Sequence, residues 1–543
     1  MKQKCEGYYG CSRFLKKTVF GYNIDLADGQ WRDMRGNFLL LWATLLLTTG
    51  GHYLCSKVWK MRKPNYTIAD MATVSAVFRL MVGAIFLYVL HGRHGLIVAL
   101  LAYTGYRITK WQREAGSLSG LYSWTFAIGV ILFKESYRIM HLPGMAFLRP
   151  IFNHEQYGGM YRWQLPANFL VLRILSFSMD YLWAAKREHG LTTREKSASG
   201  NSDESGGGGD AEGGSESERV SSSDAGRGRE LTRENLANNA RPMGDYNIVN
   251  YFSYIFYTPL YTAGPIITFN AFVENTYHPQ RSEDPYRYAG RWLLCLVCME
   301  FLANRFPFFA VISSGLFPYL SPAEMAITAY FTLKMMWLKF LITWRFFRLW
   351  AIADGTNPPE NMLRCMSNNC SLEQFWRGWH ASFNKWIVRY MYRPMGGRDT
   401  KIFNVWLIFL FVAVWHDIEL KLLVWGLLNC IFYVVEVTAK RCMKSNAFQS
   451  LPSSLVQVIL VLSGATYILI LVGLNLTGYA IGVSGVQTVL RKFVTWEGLT
   501  TLVSTYYFLC IAVSFMNWIA RVRGSEGTGE VRGRERAERK KSE

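Results

Sequence analysis

The chain has 543 residues, of which 50% are hydrophobic, 15% aromatic and 18% charged, and its formal net charge is +20. A soluble domain carries about 25% charged residues and seldom exceeds about 250–300 residues around one core. This composition excludes collagen-like, coiled-coil, disulfide-scaffold and wholly disordered chains, and it indicates a polytopic membrane protein. The basic residues lie mostly between apolar runs, where they fit cytoplasmic loops facing anionic head groups, so no nucleic-acid partner is expected.

Residues 1–36 form a polar N-terminal segment without a secretory signal peptide, and the first long apolar run begins near Asn37 and would act as an uncleaved signal anchor. A membrane helix needs about 20 apolar residues. The stretch 246–272 is broken by Pro259 and Pro265 and predicts a kinked or re-entrant segment, which brings the total to about eleven or twelve membrane elements. The predicted spans are 37–55, 73–91, 93–108, 118–134, 165–185, 289–313, 322–344, 402–416, 420–438, 454–475 and 499–519.

Two polar segments divide the chain. Residues 187–245 predict a loop between a first membrane half (37–186) and a second membrane half (246–520), and about half of 197–230 is Gly or Ser, which predicts a disordered and dispensable stretch. Residues 521–543 predict a disordered basic tail, which the positive-inside rule places in the cytoplasm. The ten cysteines are scattered, mostly within apolar runs, and predict no disulfide framework.

One basic stretch predicts an amphipathic helix at about 372–391. Ser371 followed by Gln374 is a capping-box pattern, and Pro394 with the following glycines closes the far end. A helix of this composition lies along the membrane interface or dips into the bundle and does not span it. One face would carry Trp376, Trp379, His380, Phe383, Ile387 and Tyr390, and another would carry Arg377, Lys385 and Arg389.

Two histidines are candidates for chemistry. His416 ends an apolar run, and an ionisable residue at membrane depth marks a functional site by default. Its neutral imidazole can act as a general base near pH 7, with Asp417 or Glu419 orienting the ring. The alternative is an interfacial histidine that merely ends a helix. For His380 the alternative is a core histidine whose ring bonds a backbone carbonyl.

Other charged residues leave alternatives open. Arg173 and Asp180 lie seven positions apart on one helical face and predict structural roles, paired with each other or with buried partners. The basic face of helix 372–391 could bind phosphates or only extend its charges to the interface. No Walker A loop, dinucleotide-binding glycine fingerprint or G-x-S-x-G elbow is present, so nucleotide hydrolysis and serine-hydrolase chemistry lack support.

These residues resemble the signature of membrane-bound O-acyltransferases (MBOAT). The similarity lies in FWRGWH at 375–380, RYMYRPMGG at 389–397 and WH at 415–416. Three further runs are similar to the glycerol-uptake-protein branch of that family, which is related to hedgehog acyltransferases: WRFFRLW at 344–350, YTPLYTAGP at 257–265 and LRILSFSMDY at 172–181. Many branches have Gly after the catalytic histidine, where this chain has Asp417. The resemblance implies an all-α, curved multi-helix bundle with a tunnel where acyl donor and acceptor meet from opposite sides.

The resemblance also implies an activity. His416 would be the catalytic base and His380 the second catalytic position, with acyl-CoA as co-substrate and no metal or other cofactor. We expect transfer to the sn-2 hydroxyl of a lyso-glycosylphosphatidylinositol (lyso-GPI) or another lysolipid in the bilayer. A glycerol or small-solute transporter and a protein acyltransferase are the alternatives. A dilysine pattern at Lys540 and Lys541 predicts the endoplasmic reticulum. Substrate binding is assigned to Arg377, Asn384, Lys385, Arg389, Trp376 and Trp379.

Overall fold

The computed structural model describes residues 2–18, 21–139, 159–200, 240–279 and 283–542, and these ranges are almost entirely helical. The N-terminal segment contains α1 (Lys2–Gly7), α2 (Tyr9–Ser12), an antiparallel hairpin of β1 (Leu15–Lys17) and β2 (Asn23–Asp25), and α3 (Gly29–Gly36). A disulfide joins Cys5 to Cys11, both of them buried. The scattered cysteines predict no disulfide framework and give no signal for this single bond, which spans Tyr8, a residue with extended backbone between the two short helices.

The first membrane half follows the predicted spans. It consists of α4 (Phe38–Arg62), α5 (Ile68–His91), α6 (Gly95–Glu114), α7 (Leu121–Ile139) and α8 (Gln164–Gly200). Thr67 and Asp70 form a reciprocal capping box that fixes the start of α5. Helix α8 continues to Gly200, beyond residue 187 where the loop was expected to begin, and most of that loop, 201–239, lies outside the described residues.

The segment after the loop is broken as its prolines predict. It contains α9 (Ile248–Ile255), α10 (Thr258–Tyr261) and α11 (Phe269–Tyr277), and Pro259 lies in the first turn of α10. Arg173 of α8 donates hydrogen bonds to the main-chain carbonyls of Tyr254, Ile255 and Leu260 at this break. The two charged residues of α8 therefore do not pair with each other: Arg173 holds the broken segment, and Asp180 pairs with a different arginine.

The rest of the second membrane half includes the longest helix of the described residues. Pro307 divides the predicted span 289–313 into two helices. The final helix reaches Ser542, so it includes the tail that was expected to be disordered. The helices are α12 (Pro285–Arg305), α13 (Phe308–Ser313), α14 (Pro322–Ala353), α15 (Leu372–Gly378), α16 (Ala381–Ile387), α17 (Lys401–His416), α18 (Leu420–Cys442), α19 (Asn446–Gln449), α20 (Ser453–Asn475), α21 (Gly482–Phe493) and α22 (Trp496–Ser542). Short 3₁₀ turns lie at Gly92–His94, Met243–Asp245 and Phe317–Tyr319, and π turns at Val388–Tyr392 and Leu476–Ala480.

Six helical stretches among the described residues are long and apolar enough to cross a membrane. Helix α17 is apolar but shorter, as predicted for 402–416. Large apolar side chains such as Leu39 and Phe508 point outward, with 88% and 68% of their surface exposed, as expected of helices that face lipid. The chain is a multi-pass membrane protein. The six stretches are Phe38–Arg62, Ile68–Glu114, Pro322–Ala353, Leu420–Cys442, Ser453–Ala480 and Trp496–Val522.

Candidate active site

The predicted helix 372–391 is interrupted at His380. Helix α15 ends at Gly378 and α16 begins at Ala381, so the prediction of one continuous helix is wrong. Between them His380 has left-handed backbone, with φ 45° and ψ 48°, and it is the only non-glycine residue with positive φ in the described ranges. Such a conformation costs on the order of 1–3 kcal/mol and persists only where the surroundings impose it.

The segment around Asn361 imposes this break. The main-chain N–H of Ala381 donates to the carbonyl of Asn361 at 2.9 Å. The N–H and hydroxyl of Ser382 donate to the side-chain oxygen of Asn361, which is fully buried. On the other side of the break, the N–H of Leu363 donates to the carbonyl of Gly378 at 3.2 Å. A distant segment thus takes up hydrogen bonds that a continuous helix would make internally.

The imidazole of His380 is buried and faces aromatic rings. It stacks on Trp344 with ring centroids 4.6 Å apart and contacts Phe383 at 5.2 Å. Burial, helped by the nearby His416, lowers the pKa of His380 to about 3, so the ring is neutral at pH 7. Its Nε2 has no hydrogen-bond partner in the described part of the chain, which leaves this nitrogen available to a substrate group.

His416 is held at the end of α17 by Asn168 of α8. The side-chain amide of Asn168 donates to the main-chain carbonyl of His416 at 3.3 Å, and the indole N–H of Trp415 donates to the carbonyl of Asn168 at 2.8 Å. This amide satisfies one of the carbonyls that every helix leaves unpaired at its C-terminus. Sequence reasoning missed Asn168, although a polar residue inside the apolar run 165–185 was a signal.

The carboxylates expected to orient the His416 ring each pair with a lysine. Asp417 lies 3.3 Å from the ammonium of Lys134, and Glu419 lies 2.7 Å from that of Lys421. The ring of His416 packs against Trp415 at 4.8 Å and Tyr479 at 5.9 Å between centroids. Aromatic packing and the fixed helix end therefore position this imidazole.

Both histidines line one cavity of about 1980 Å³. A cleft for one small molecule usually measures about 300–1,000 Å³, so this space suits two large substrates. The ring of Trp415 connects the histidines, because it lies 6.5 Å from His380 and 4.8 Å from His416 between centroids. Four of the predicted substrate-binding residues also line the cavity, namely Trp376, Arg377, Trp379 and Asn384.

The other two predicted binding residues do not line this cavity. Lys385 is exposed on α16, and Arg389 forms an ion pair with Asp180 at 2.8 Å. The sequence placed both beside Arg377 by helical spacing. The break at His380 and the π turn Val388–Tyr392 change the register, so residues that share a face on an ideal helix separate in the fold.

One part of the cavity, the cationic mouth, is lined by the basic residues Arg377, Arg398 and Lys401. Glu373 lies among them and accepts from Arg377 at 2.8 Å and from Lys440 at 3.0 Å. Burial alone would raise the pKa of Glu373, but these hydrogen bonds and the neighbouring cations lower it, so the carboxylate is ionised and organises the cationic mouth. Glu373 was not predicted, because an acid inside a basic segment gives no distinct sequence signal.

The cavity has two other kinds of wall. Its polar end is lined by Asp28, Asp33 and Asn37 of the N-terminal segment, and Asp28 pairs with Lys339 at 2.7 Å. Along α4 and α5 most of the lining residues are apolar, and several also reach the outer surface of the bundle. Leu40, Leu47, Ile85 and Val89 line the cavity while 50%, 75%, 66% and 50% of their surface is exposed. The cavity therefore opens sideways onto the face that contacts lipid.

The described residues contain no group of three or more His, Cys, Asp or Glu side chains that could hold a metal ion.

The model of the membrane-bound O-acyltransferase family matches residues 118–477. The chain is 33% identical over 540 residues to membrane-bound O-acyltransferase gup1 of Schizosaccharomyces pombe, covering 96% of this chain and 85% of the relative. It is 32% identical over 507 residues to GUP1 of Saccharomyces cerevisiae, covering 92% and 82%.

A shorter similarity relates the chain to a mouse enzyme, protein-cysteine N-palmitoyltransferase HHAT. The two are 26% identical over 204 residues, which cover 36% of this chain and 41% of that enzyme. The similarity agrees with the predicted relation to hedgehog acyltransferases. With its helical membrane bundle and the family match over most of its length, the chain belongs to the membrane-bound O-acyltransferase family and is an acyltransferase.

Proposed function

We propose that this acyltransferase moves a long acyl chain from acyl-CoA to a lipid hydroxyl, the sn-2 hydroxyl of a lyso-GPI in particular. One observation carries the proposal: a single cavity joins a cationic mouth, two histidines and an apolar opening to the bilayer. The mouth suits the phosphates of CoA. The opening suits acyl chains. The lyso-GPI acceptor follows from the resemblance to the glycerol-uptake-protein branch, and the similarity to gup1 and GUP1 supports that branch.

The proposed reaction needs one proton carrier. His416 takes the proton from the acceptor hydroxyl as that oxygen attacks the thioester carbonyl. The C–S bond then breaks, and the His416 imidazolium gives its proton to the departing CoA sulfur, which leaves as the thiol and returns His416 to its neutral form. His380, when its ring proton is on Nε2, donates a hydrogen bond to the carbonyl oxygen as negative charge develops there. The scheme forms no acyl-enzyme and uses no metal ion.

An acceptor panel tests the proposal. Purified protein in lipid nanodiscs is given labelled long-chain acyl-CoA with lyso-GPI, lysophosphatidylcholine, glycerol or a peptide with a free N-terminal cysteine. We expect label in GPI and none in the peptide. Transfer to the peptide alone would favour the protein-acyltransferase alternative, and facilitated glycerol flux in proteoliposomes without any acyl transfer would favour the transporter.

The cationic mouth gives a prediction for the donor. Arg377→Gln should raise the KM for acyl-CoA about fivefold, because an exposed charge pair contributes at most about 1 kcal/mol. The KM for the lipid acceptor should change less. Lys385→Gln is the matched control, since Lys385 is an exposed cation of the same segment outside the cavity lining. Equal shifts in both variants would contradict a specific role for Arg377.

We also propose residence in the endoplasmic reticulum. The support is the dilysine pattern at Lys540 and Lys541 on a tail expected to face the cytoplasm. Changing both lysines to serine should let a fluorescently tagged protein reach later compartments of the secretory pathway, as seen by microscopy. An unchanged reticular pattern would show that the membrane domain provides retention instead.

A further inference from the structure

A second, smaller cavity lies outside the candidate active site. It measures about 420 Å³ and is lined by Trp183, Lys186, Arg187 and Arg389. Three of these residues are cationic. Lys186 and Arg187 follow Trp183 by about one turn of α8, and Arg389 belongs to the π turn Val388–Tyr392. Basic pockets between membrane helices on the cytoplasmic side are typical binding sites for anionic head groups.

The base of this pocket is already ordered by the protein. The guanidinium of Arg389 pairs with the fully buried carboxylate of Asp180 at 2.8 Å and lies 5.4 Å from the centre of the Trp183 ring. That ring in turn stacks on Tyr390 at 5.6 Å, and the Tyr390 hydroxyl donates to Asp180 at 3.0 Å. Asp180 offsets one of the three positive charges, so the pocket keeps an excess of two.

The pocket is separate from the mouth that Arg377 lines. Val388 and Tyr392 of the π turn line the large cavity, while Arg389 of the same turn lines the small one. Arg389 precedes the basic stretch 393–401 by four residues, and Arg398 and Lys401 of that stretch line the large cavity. The positive-inside rule places this stretch at the cytoplasmic surface. That leaflet carries anionic phospholipids, and a tryptophan beside basic residues is typical of head-group depth.

We propose that this pocket binds the phosphate of an anionic phospholipid of the cytoplasmic leaflet. Arg389 and the Trp183 ring form its base, and Lys186 and Arg187 supply the remaining charge. The proposal does not rest on the proposed acceptor or donor, because it concerns binding and not transfer.

Lipid retention tests the proposal. The full chain is placed in nanodiscs of phosphatidylcholine with or without phosphatidylinositol, and retained phosphatidylinositol is measured by native mass spectrometry. The variant Lys186→Gln/Arg187→Gln should bind it roughly 30-fold more weakly, given the contribution of each basic residue near the membrane surface. The control is Lys57→Gln/Lys60→Gln, which removes two exposed charges from α4. Equal losses in both variants would overturn the proposal, because diffuse surface charge would then explain the binding.

A second arm separates the lipid from the co-substrate, whose phosphates share the same chemistry. Free CoA is added to nanodiscs that contain phosphatidylinositol. We expect the lipid to stay bound, and we expect Lys186→Gln/Arg187→Gln to leave the KM for acyl-CoA unchanged. Displacement of the lipid by CoA, with a raised KM in that variant, would assign the pocket to the co-substrate and overturn the proposal. Both substituted side chains are exposed, so the variant should fold, and its thermal unfolding is recorded.

Discussion

Replacing His416 with alanine should lower the rate of acyl transfer by about 10²–10⁴-fold, the usual contribution of a general base. The imidazole lines the cavity and is positioned by aromatic packing and by the hydrogen bond from the Asn168 side chain to the end of its helix. This hydrogen bond is accepted by the main-chain carbonyl of residue 416, so the substitution leaves the bond in place. The loss should therefore appear in kcat, with the thermal unfolding of the protein nearly unchanged.

Two further variants make this test sharper. His416→Asn keeps a polar side chain of similar shape but cannot take the proton, so it should be nearly as inactive as His416→Ala. His278→Ala is the matched control, since 57% of that histidine side chain is exposed outside the cavity. Near-wild-type turnover by a well-folded His416→Asn would refute the role of this histidine as general base.

Replacing Arg173 with methionine should destabilise the folded protein by about 3–5 kcal/mol. Exchanging a buried charge for an apolar side chain is often harmless when both partners of a pair are removed together. Here the partners are main-chain carbonyls of Tyr254, Ile255 and Leu260, all of which lose the donor that Arg173 supplies. Thermal denaturation in detergent should show a clearly lower Tm.

The conservative and control variants define what Arg173 supplies. Arg173→Lys should fall between the wild type and methionine, because one ammonium cannot match the spread of donors on a guanidinium. Arg107→Met removes an exposed arginine of α6 and should leave the Tm within experimental error. A Tm for Arg173→Met equal to that of the wild type would show that the broken segment is held by other contacts.

The membrane helices could be predicted from sequence because their signal is local. Apolar runs predict α17 to within one residue and one end each of α4 and α5, and Pro259 marks the break between α9 and α10. His416 was also accessible, since a lone ionisable residue at the end of an apolar run stands out. The full extent of α8 and α22 could not be predicted from the sequence, because polar composition alone does not distinguish a helix from a disordered segment.

The geometry around His380 depends on contacts that the sequence does not display. The helical spacing of Trp376, Trp379 and Phe383 continues through the position where the helix breaks. The cause is Asn361, which lies on another segment and takes the hydrogen bonds of Ala381 and Ser382. Helical periodicity therefore predicts Arg389 beside Arg377, whereas in the structure Arg389 pairs with Asp180.

The disulfide between Cys5 and Cys11 has a consequence for how the chain matures. Disulfides persist in oxidising compartments and are rare in the cytosol. The bond ties α1 to α2, and Lys4 of α1 pairs with Glu324 in the first turn of α14, so the linked pair of short helices contacts the membrane bundle through that ion pair. The positive-inside rule predicts that the basic tail faces the cytoplasm, so we expect the N-terminal segment and the tail to meet opposite thiol chemistry. Protein produced in a host without an oxidising compartment should lack the Cys5–Cys11 bond, so that α1 and α2 are not covalently linked.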